Sequence, residues 1–158
     1  MSKRLVLILL SLTLLSSCGF KLRGNFDMPP SLSQVVVDGG DREFVDQLKE
    51  LLVKSGSTVL EKGAEVASIN ITTSEFEREV LTTGADGIAT SYNFRYLLDF
   101  NVTDAEGTVL QAPVSLNQIR NLTYEPGNEL EVENEETFLR EEMEKELALQ
   151  IMRRLSRL

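Results

Sequence analysis

The stretch that most constrains the fold is Tyr92–Thr103, where Tyr92, Phe94, Tyr96, Leu98, Phe100 and Val102 alternate with Asn93, Arg95, Asp99, Asn101 and Thr103. Only Leu97 breaks the pattern, so the spacing predicts a long strand with one dry face and one wet face. Such a strand needs neighbours on both edges and an apolar layer over one face. Upstream, residues 66–81 alternate too, with Ala67, Ile69 and Ile71 on one parity and Phe76 and Val80 on the other. A bulge near Thr73-Ser74 reconciles the two halves. Gly84-Ala85-Asp86-Gly87 and Asp104-Ala105-Glu106-Gly107 read as hairpin turns on either side of the long strand. The return strand, Thr108–Tyr124, contains Pro113, which cannot donate to a ladder and marks an edge or a bulge. Glu125-Pro126-Gly127-Asn128 closes it as a type II turn.

Two helices complete the pattern. Gln34–Asp38 is a β-branched run of a strand buried on both faces, and Gly39-Gly40 ends it. Asp41 then starts a helix with Phe44, Leu48, Leu51, Leu52 and Ser55 on one side and Gly56 as its cap. The C-terminal stripe of Leu139, Met143, Leu147, Ile151, Leu155 and Leu158 predicts a second helix, capped by Asn134. Glu135 and Glu136 in its first turn and Arg153, Arg154 and Arg157 in its last complement the helix dipole, and Glu141 and Lys145 add an i,i+4 pair. The order strand, helix, three strands, helix predicts an α+β two-layer sandwich: two helices packed on one face of a mixed four-stranded sheet.

The N-terminus reads as an export signal, with Lys3 and Arg4 followed by an apolar run from Leu5 to Leu15 that is shorter than the about 20 residues a bilayer span needs. Leu15-Ser16-Ser17-Cys18 resembles a lipobox, in which the cysteine receives diacylglycerol and becomes the acylated first residue. Cys18 is the only cysteine, so it has no disulfide partner within the chain. The expected organisation is a signal peptide at 1–17, a lipidated tether at 18–33 and one α/β domain at 34–158. Gly19 in place of an inner-membrane retention Asp implies sorting to the outer membrane by the same resemblance. The mature chain loses Lys3 and Arg4 from the 16 basic residues, leaving 14 against 25 acidic ones and a formal charge of −11. That balance argues against nucleic acid and against a polybasic grip on lipid headgroups.

Chemistry is scarce. There is no histidine, which removes His-based triads and nearly all transition-metal sites. Gly84–Gly87 lacks the Lys-Ser/Thr of a phosphate loop. Glu75, Glu77 and Glu79 share one strand face with Thr73, where a solvated face is simpler than a carboxylate pair for glycoside hydrolysis. Glu131, Glu133, Glu135 and Glu136 lack the spacing of a calcium loop. The chain is therefore expected to be no enzyme and to use no cofactor beyond the covalent lipid.

Cys18-Gly19-Phe20-Lys21-Leu22-Arg23-Gly24 resembles the mature N-terminus of the LptE family of lipopolysaccharide-assembly lipoproteins. The Met28-Pro29-Pro30-Ser31 entry, the first strand ending in Asp38, the helix with Leu48, the hairpin around Tyr92 and Ile151-x-Arg153-x-Leu155 follow that family's order. The resemblance implies a plug inside the outer-membrane β-barrel LptD, help with that barrel's folding and disulfides, and binding of lipopolysaccharide. Outside the family, a generic envelope lipoprotein or an auxiliary subunit of a lipid transporter is the competing reading. A lipopolysaccharide phosphate needs a local cation, and Arg78, Arg95 and Arg120 lie on predicted strands; Arg95, on the polar parity, serves equally as a cross-strand partner for Asp99 or a glutamate. Where the family carries basic turns at one end of the sheet, this chain has Thr83-Gly84-Ala85-Asp86 and Glu129-Leu130-Glu131-Val132, which argues against phosphate contact at that tip.

Replacing Cys18 by Ala in the exported chain is expected to move it from the outer-membrane fraction to the soluble periplasmic fraction with unchanged far-ultraviolet circular dichroism. Labelled palmitate that still enters the Ala variant contradicts lipidation at this residue.

Overall fold

The computed structural model describes residues 26–125, 127 and 129–158. Cys18, the signal at 1–17, the motif through Gly24, and Pro126 and Asn128 of the expected type II turn lie outside the described residues. The elements are β1 (Gln34–Gly39), α1 (Arg42–Lys54), β2 (Thr58–Val59), β3 (Ala67–Thr83), β4 (Ala89–Thr103), β5 (Val109–Thr123) and α2 (Glu129–Leu155), after a short 3-10 turn at Pro30–Leu32. The sheet order is β2-β1-β3-β4-β5; β1 is parallel to β2 and β3, and β4 is antiparallel to β3 and β5.

The mixed sheet carries five strands where the spacing predicts four. The extra one, β2, is only two residues long, too short to show a period. It is pinned to β1 by Thr58 N–H to the Ser33 carbonyl at 2.8 Å and Leu60 N–H to the Val35 carbonyl at 2.8 Å.

Both helices cover the face that carries the even-numbered residues of β4. Phe94, Tyr96, Leu98, Phe100 and Val102 are buried there against Phe44 and Leu48 of α1 and Met143, Leu147 and Ile151 of α2. Aromatic rings run along this face: Phe76 stacks on Phe94 at 5.7 Å between centroids, and Tyr92 on Tyr124 at 5.5 Å. The Tyr96 hydroxyl shares a 3.0 Å hydrogen bond with Ser74 Oγ, and burial pushes its pKa up to about 12.

The parity change in β3 has the expected cause. The register with β4 slips between Ile71 and Thr73, so Thr72 is the bulge that returns Phe76 to the face of Ile69 and Ile71. Pro113 meets both expectations at once. β5 is an edge strand, and its register with β4 slips between Val114 and Gln111, which puts Ala112-Pro113 in a bulge that needs no ladder donor.

Helix ends divide into one agreement and one correction. Asp41 caps α1, accepting from Glu43 N–H at 2.9 Å, and Gly56 follows its end at φ +91°. Asn134 does not cap α2: the helix begins at Glu129, and Asn134 is exposed within it. Burial of Val132 holds that first turn, and the negative charge of Glu133 suits the N-terminal dipole. At the other end α2 stops at Leu155, so Leu158 leaves the stripe and is 41% exposed.

Gly39 ends β1 at φ +76°, where a Cβ would lie 2.1 Å from the Ile71 carbonyl oxygen. Gly39→Ala is expected to cost about 3 kcal/mol or more, since left-handed strain alone costs ~1–3 kcal/mol and the clash adds to it. Gly87→Ala, at φ +81° with open space around it, is expected to cost about 1 kcal/mol. Equal losses in urea unfolding would show that the approach to Ile71 does not matter.

Candidate functional site

The three strand arginines do not form one site. Arg78 and Arg120 are the cross-strand neighbours of Phe94 from β3 and β5 and so share the helix-covered face. Arg95 pairs with Glu77 and Ile119 and points to the other, open face. This division was legible, because Arg78 has the parity of Phe76 and Val80, and Arg120 that of Leu116 and Leu122.

Arg78 and Arg120 each reach across to α2. Arg78 Nη1 lies 2.6 Å from Glu136 Oε2, with its guanidinium 5.0 Å above the Tyr92 ring. Arg120 Nη2 lies 2.8 Å from Glu146 Oε2, and its Nη1 donates to Gln118 Oε1 at 3.2 Å and to the Ile119 carbonyl at 2.9 Å. Partly exposed pairs of this kind stabilise by about 0–1 kcal/mol each, so they set the helix's position more than its stability. Arg95 is looser, with Nη1 3.9 Å from Glu77 Oε2 and its side chain 49% exposed. Of its two expected cross-strand partners, the glutamate is the one it has.

The open face is a polar sheet. Asn70, Asn101, Thr73, Asp99, Ser115, Asn117, Asn93 and Asn121 share it by register, with Glu75, Glu77 and Glu79 along β3. Asn93 Nδ2 donates to Asn121 Oδ1 at 2.7 Å. Hydroxyls of Ser115 and then Thr73 hold the Asp99 carboxyl below the usual carboxylate range. The glutamates stand in an exposed row along β3.

A buried ion cluster at the helix side was missed from sequence. Glu144 on α2 is fully buried; its Oε1 accepts from Arg140 Nε at 3.0 Å and its Oε2 from Gln47 Nε2 at 3.0 Å. Arg140 Nη2 also lies 3.3 Å from Asp41 Oδ2 and 3.7 Å from Glu43 Oε2, and its guanidinium sits 5.5 Å over the Phe76 ring. One guanidinium thus joins α2 to the N-terminus of α1 and to β3. Among the described residues Asp41, Glu43 and Glu144 are the one carboxylate set spaced closely enough for a metal ion, and the Arg140 guanidinium already pairs with all three. The missed signal is the spacing Glu144, Ala148, Met152, which puts the glutamate on a buried i,i+4 row. Grooves of about 740 Å³ between the helices and about 440 Å³ beside Phe76 are lined mainly by charged residues such as Glu43, Glu50, Lys54 and Arg140.

The LptE family model, described as lipopolysaccharide-assembly, matches residues 29–155. The chain is 24% identical to the LPS-assembly lipoprotein LptE of Yersinia enterocolitica, over 98% of this chain and 77% of that protein. It is 26% identical to the protein of the same name from Pectobacterium atrosepticum, over 98% and 86%. In fold it is similar to lipoprotein B of Nitrosomonas europaea, with a TM-score of 0.68 at 24% identity over 87% and 90% of the two chains. Rare lipoprotein B of Shewanella oneidensis gives 0.65 at 19% identity over 78% and 93%.

Burial raises the Glu144 pKa, and the pull of Arg140 only partly offsets it. A carboxyl raised in the folded state takes up its proton more readily there than in the unfolded chain, so protonation adds stability as pH falls through the folded value. Arg140→Ala removes the compensating charge and is expected to cost about 3–5 kcal/mol at neutral pH. The deficit is expected to shrink on acidification and to be largely recovered by adding Glu144→Gln. A pH-independent deficit in denaturant titrations contradicts this account.

Proposed function

Because the chain belongs to the LptE family of lipopolysaccharide-assembly proteins, we propose that it is an outer-membrane lipoprotein that plugs the LptD β-barrel, assists its assembly and binds lipopolysaccharide during insertion into the outer leaflet. Work in lipopolysaccharide assembly at the cell envelope is the family's common ground. In the finer reading Cys18 carries diacylglycerol and an N-acyl chain as the anchor, and the domain stands in the barrel lumen without catalysing a reaction.

The observation that carries the plug reading is the shape and polarity of the sheet. β3 has 17 residues, roughly 55 Å at strand rise, and five strands about 4.8 Å apart are roughly 20 Å across. A barrel's apolar band is about 25 Å tall. A rod of this section, polar on its open face, suits the wide, water-filled interior that only barrels of many strands enclose. Lipopolysaccharide contact rests on Arg95, the strand cation least committed to a partner.

Purification of the tagged full chain from outer membranes is expected to bring down the barrel and lipopolysaccharide together. Recovery of inner-membrane or periplasmic transporter subunits instead would overturn the plug reading in favour of a lipid-transporter subunit. Arg95→Glu is expected to weaken lipopolysaccharide binding about fivefold, the equivalent of ~1 kcal/mol, with unaltered thermal unfolding. Unchanged affinity removes Arg95 from the contact.

A further inference from the structure

The two edges of the sheet are treated differently. On one side the edge strand, β2, is two residues long, which leaves little backbone to pair. On the other, β5 runs for 15 residues, and its protections are confined to its first part. There Pro113 sits in a bulge, and Gln111 Nε2 donates to the Ala112 carbonyl at 3.0 Å.

From Val114 to Thr123 the register with β4 is unbroken. Tyr124 N–H donates to the Thr90 carbonyl at 3.0 Å, so even-numbered residues of this run direct their backbone groups to β4. By alternation, Ser115, Asn117, Ile119, Asn121 and Thr123 direct N–H and C=O outward. Among the described residues no strand pairs with them. The Ile119 carbonyl, on the outward parity, is taken by the Arg120 guanidinium, an interaction that an incoming donor can replace. The run holds one charged residue and no proline, which is the profile of a pairing template and not of a defended edge.

We propose that the outer edge of β5 from Ser115 to Thr123 receives an extended segment of the barrel partner as a sixth strand, paired through the backbone. The inference rests on the plug reading. Wall strands of a closed barrel have no free edge, so the segment comes from a loop that enters the lumen. Side chains on its helix side meet Gln118, Arg120 and the α2 row of Glu142 and Glu146. Glu146 is already tied to Arg120, whereas Glu142 is exposed. A Lys or Arg at that position of the incoming strand fits the charge, and amide or β-branched side chains fit opposite Asn117, Ile119 and Asn121.

Amide-resolved hydrogen exchange on the full mature chain, alone and in complex with its purified barrel, tests this. The five outward amides are expected to exchange freely in the chain alone and about tenfold or more slower in the complex. Ile119→Pro deletes one outward donor without touching the β4 ladder and is expected to lower complex yield about tenfold while thermal unfolding stays near wild type. Glu142→Lys is expected to weaken the complex with no loss of fold. A complex in which the outward amides remain unprotected overturns the edge pairing and leaves the plug reading standing. If no complex forms with the wild-type chain, both fall. Protection in the chain alone, together with a dimeric mass, overturns the proposal in favour of self-pairing.

Discussion

Burial of one face of β4 under both helices is the constraint on which the rest of the molecule depends. Phe94, Tyr96, Leu98, Phe100 and Val102 lie side by side in the interior, and each large side chain removed from water contributes roughly 1.5–3 kcal/mol. A one-residue slip of a neighbouring strand would turn its apolar set to solvent. The bulge at Thr72 keeps both halves of β3 in phase with β4, and the bulge at Ala112-Pro113 absorbs the extra length of β5 without disturbing Val114–Thr123.

That packing sorts the charges. Arg78 and Arg120 on the covered face end beside α2 and pair with Glu136 and Glu146, while Glu144 pairs with Arg140 of the helix itself. The buried Glu144 ties α2 to Gln47 of α1 directly and to Asp41 through Arg140. Such a cluster costs desolvation and adds little net stability, but it admits few alternative placements of the two helices. On the open face Arg95 lies between Glu77 of β3 and Ile119 of β5. A single anionic surface therefore presents one lightly held guanidinium, a local exception to a charge that otherwise repels phosphate.

The same division shapes how the domain meets other molecules. The helix side is tied together by ion pairs and carries grooves lined mainly by charged residues. The open face and the β5 edge remain available, one through amide and hydroxyl side chains and the other through main-chain groups. Amide and hydroxyl side chains on the one and main-chain groups on the other make both surfaces able to exchange hydrogen bonds with a partner.

Local pattern was enough to determine the alternation of β4, the parity change in β3, the capping of α1 by Asp41 and Gly56, the edge position of Pro113 and the two-helix, one-sheet architecture. Each is a consequence of burial or backbone geometry repeating over a few residues. Tertiary structure alone decided that Thr58–Val59 pairs with β1, that α2 begins at Glu129 and not at Asn134, and that Arg140 gathers Asp41, Glu43 and Glu144. A two-residue strand has no period, a helix start among glutamates has no unique cap, and an ion cluster joins residues about a hundred positions apart. The arginines fall between these cases: their parity was present in the chain, but which parity would be covered depended on where the helices came to rest.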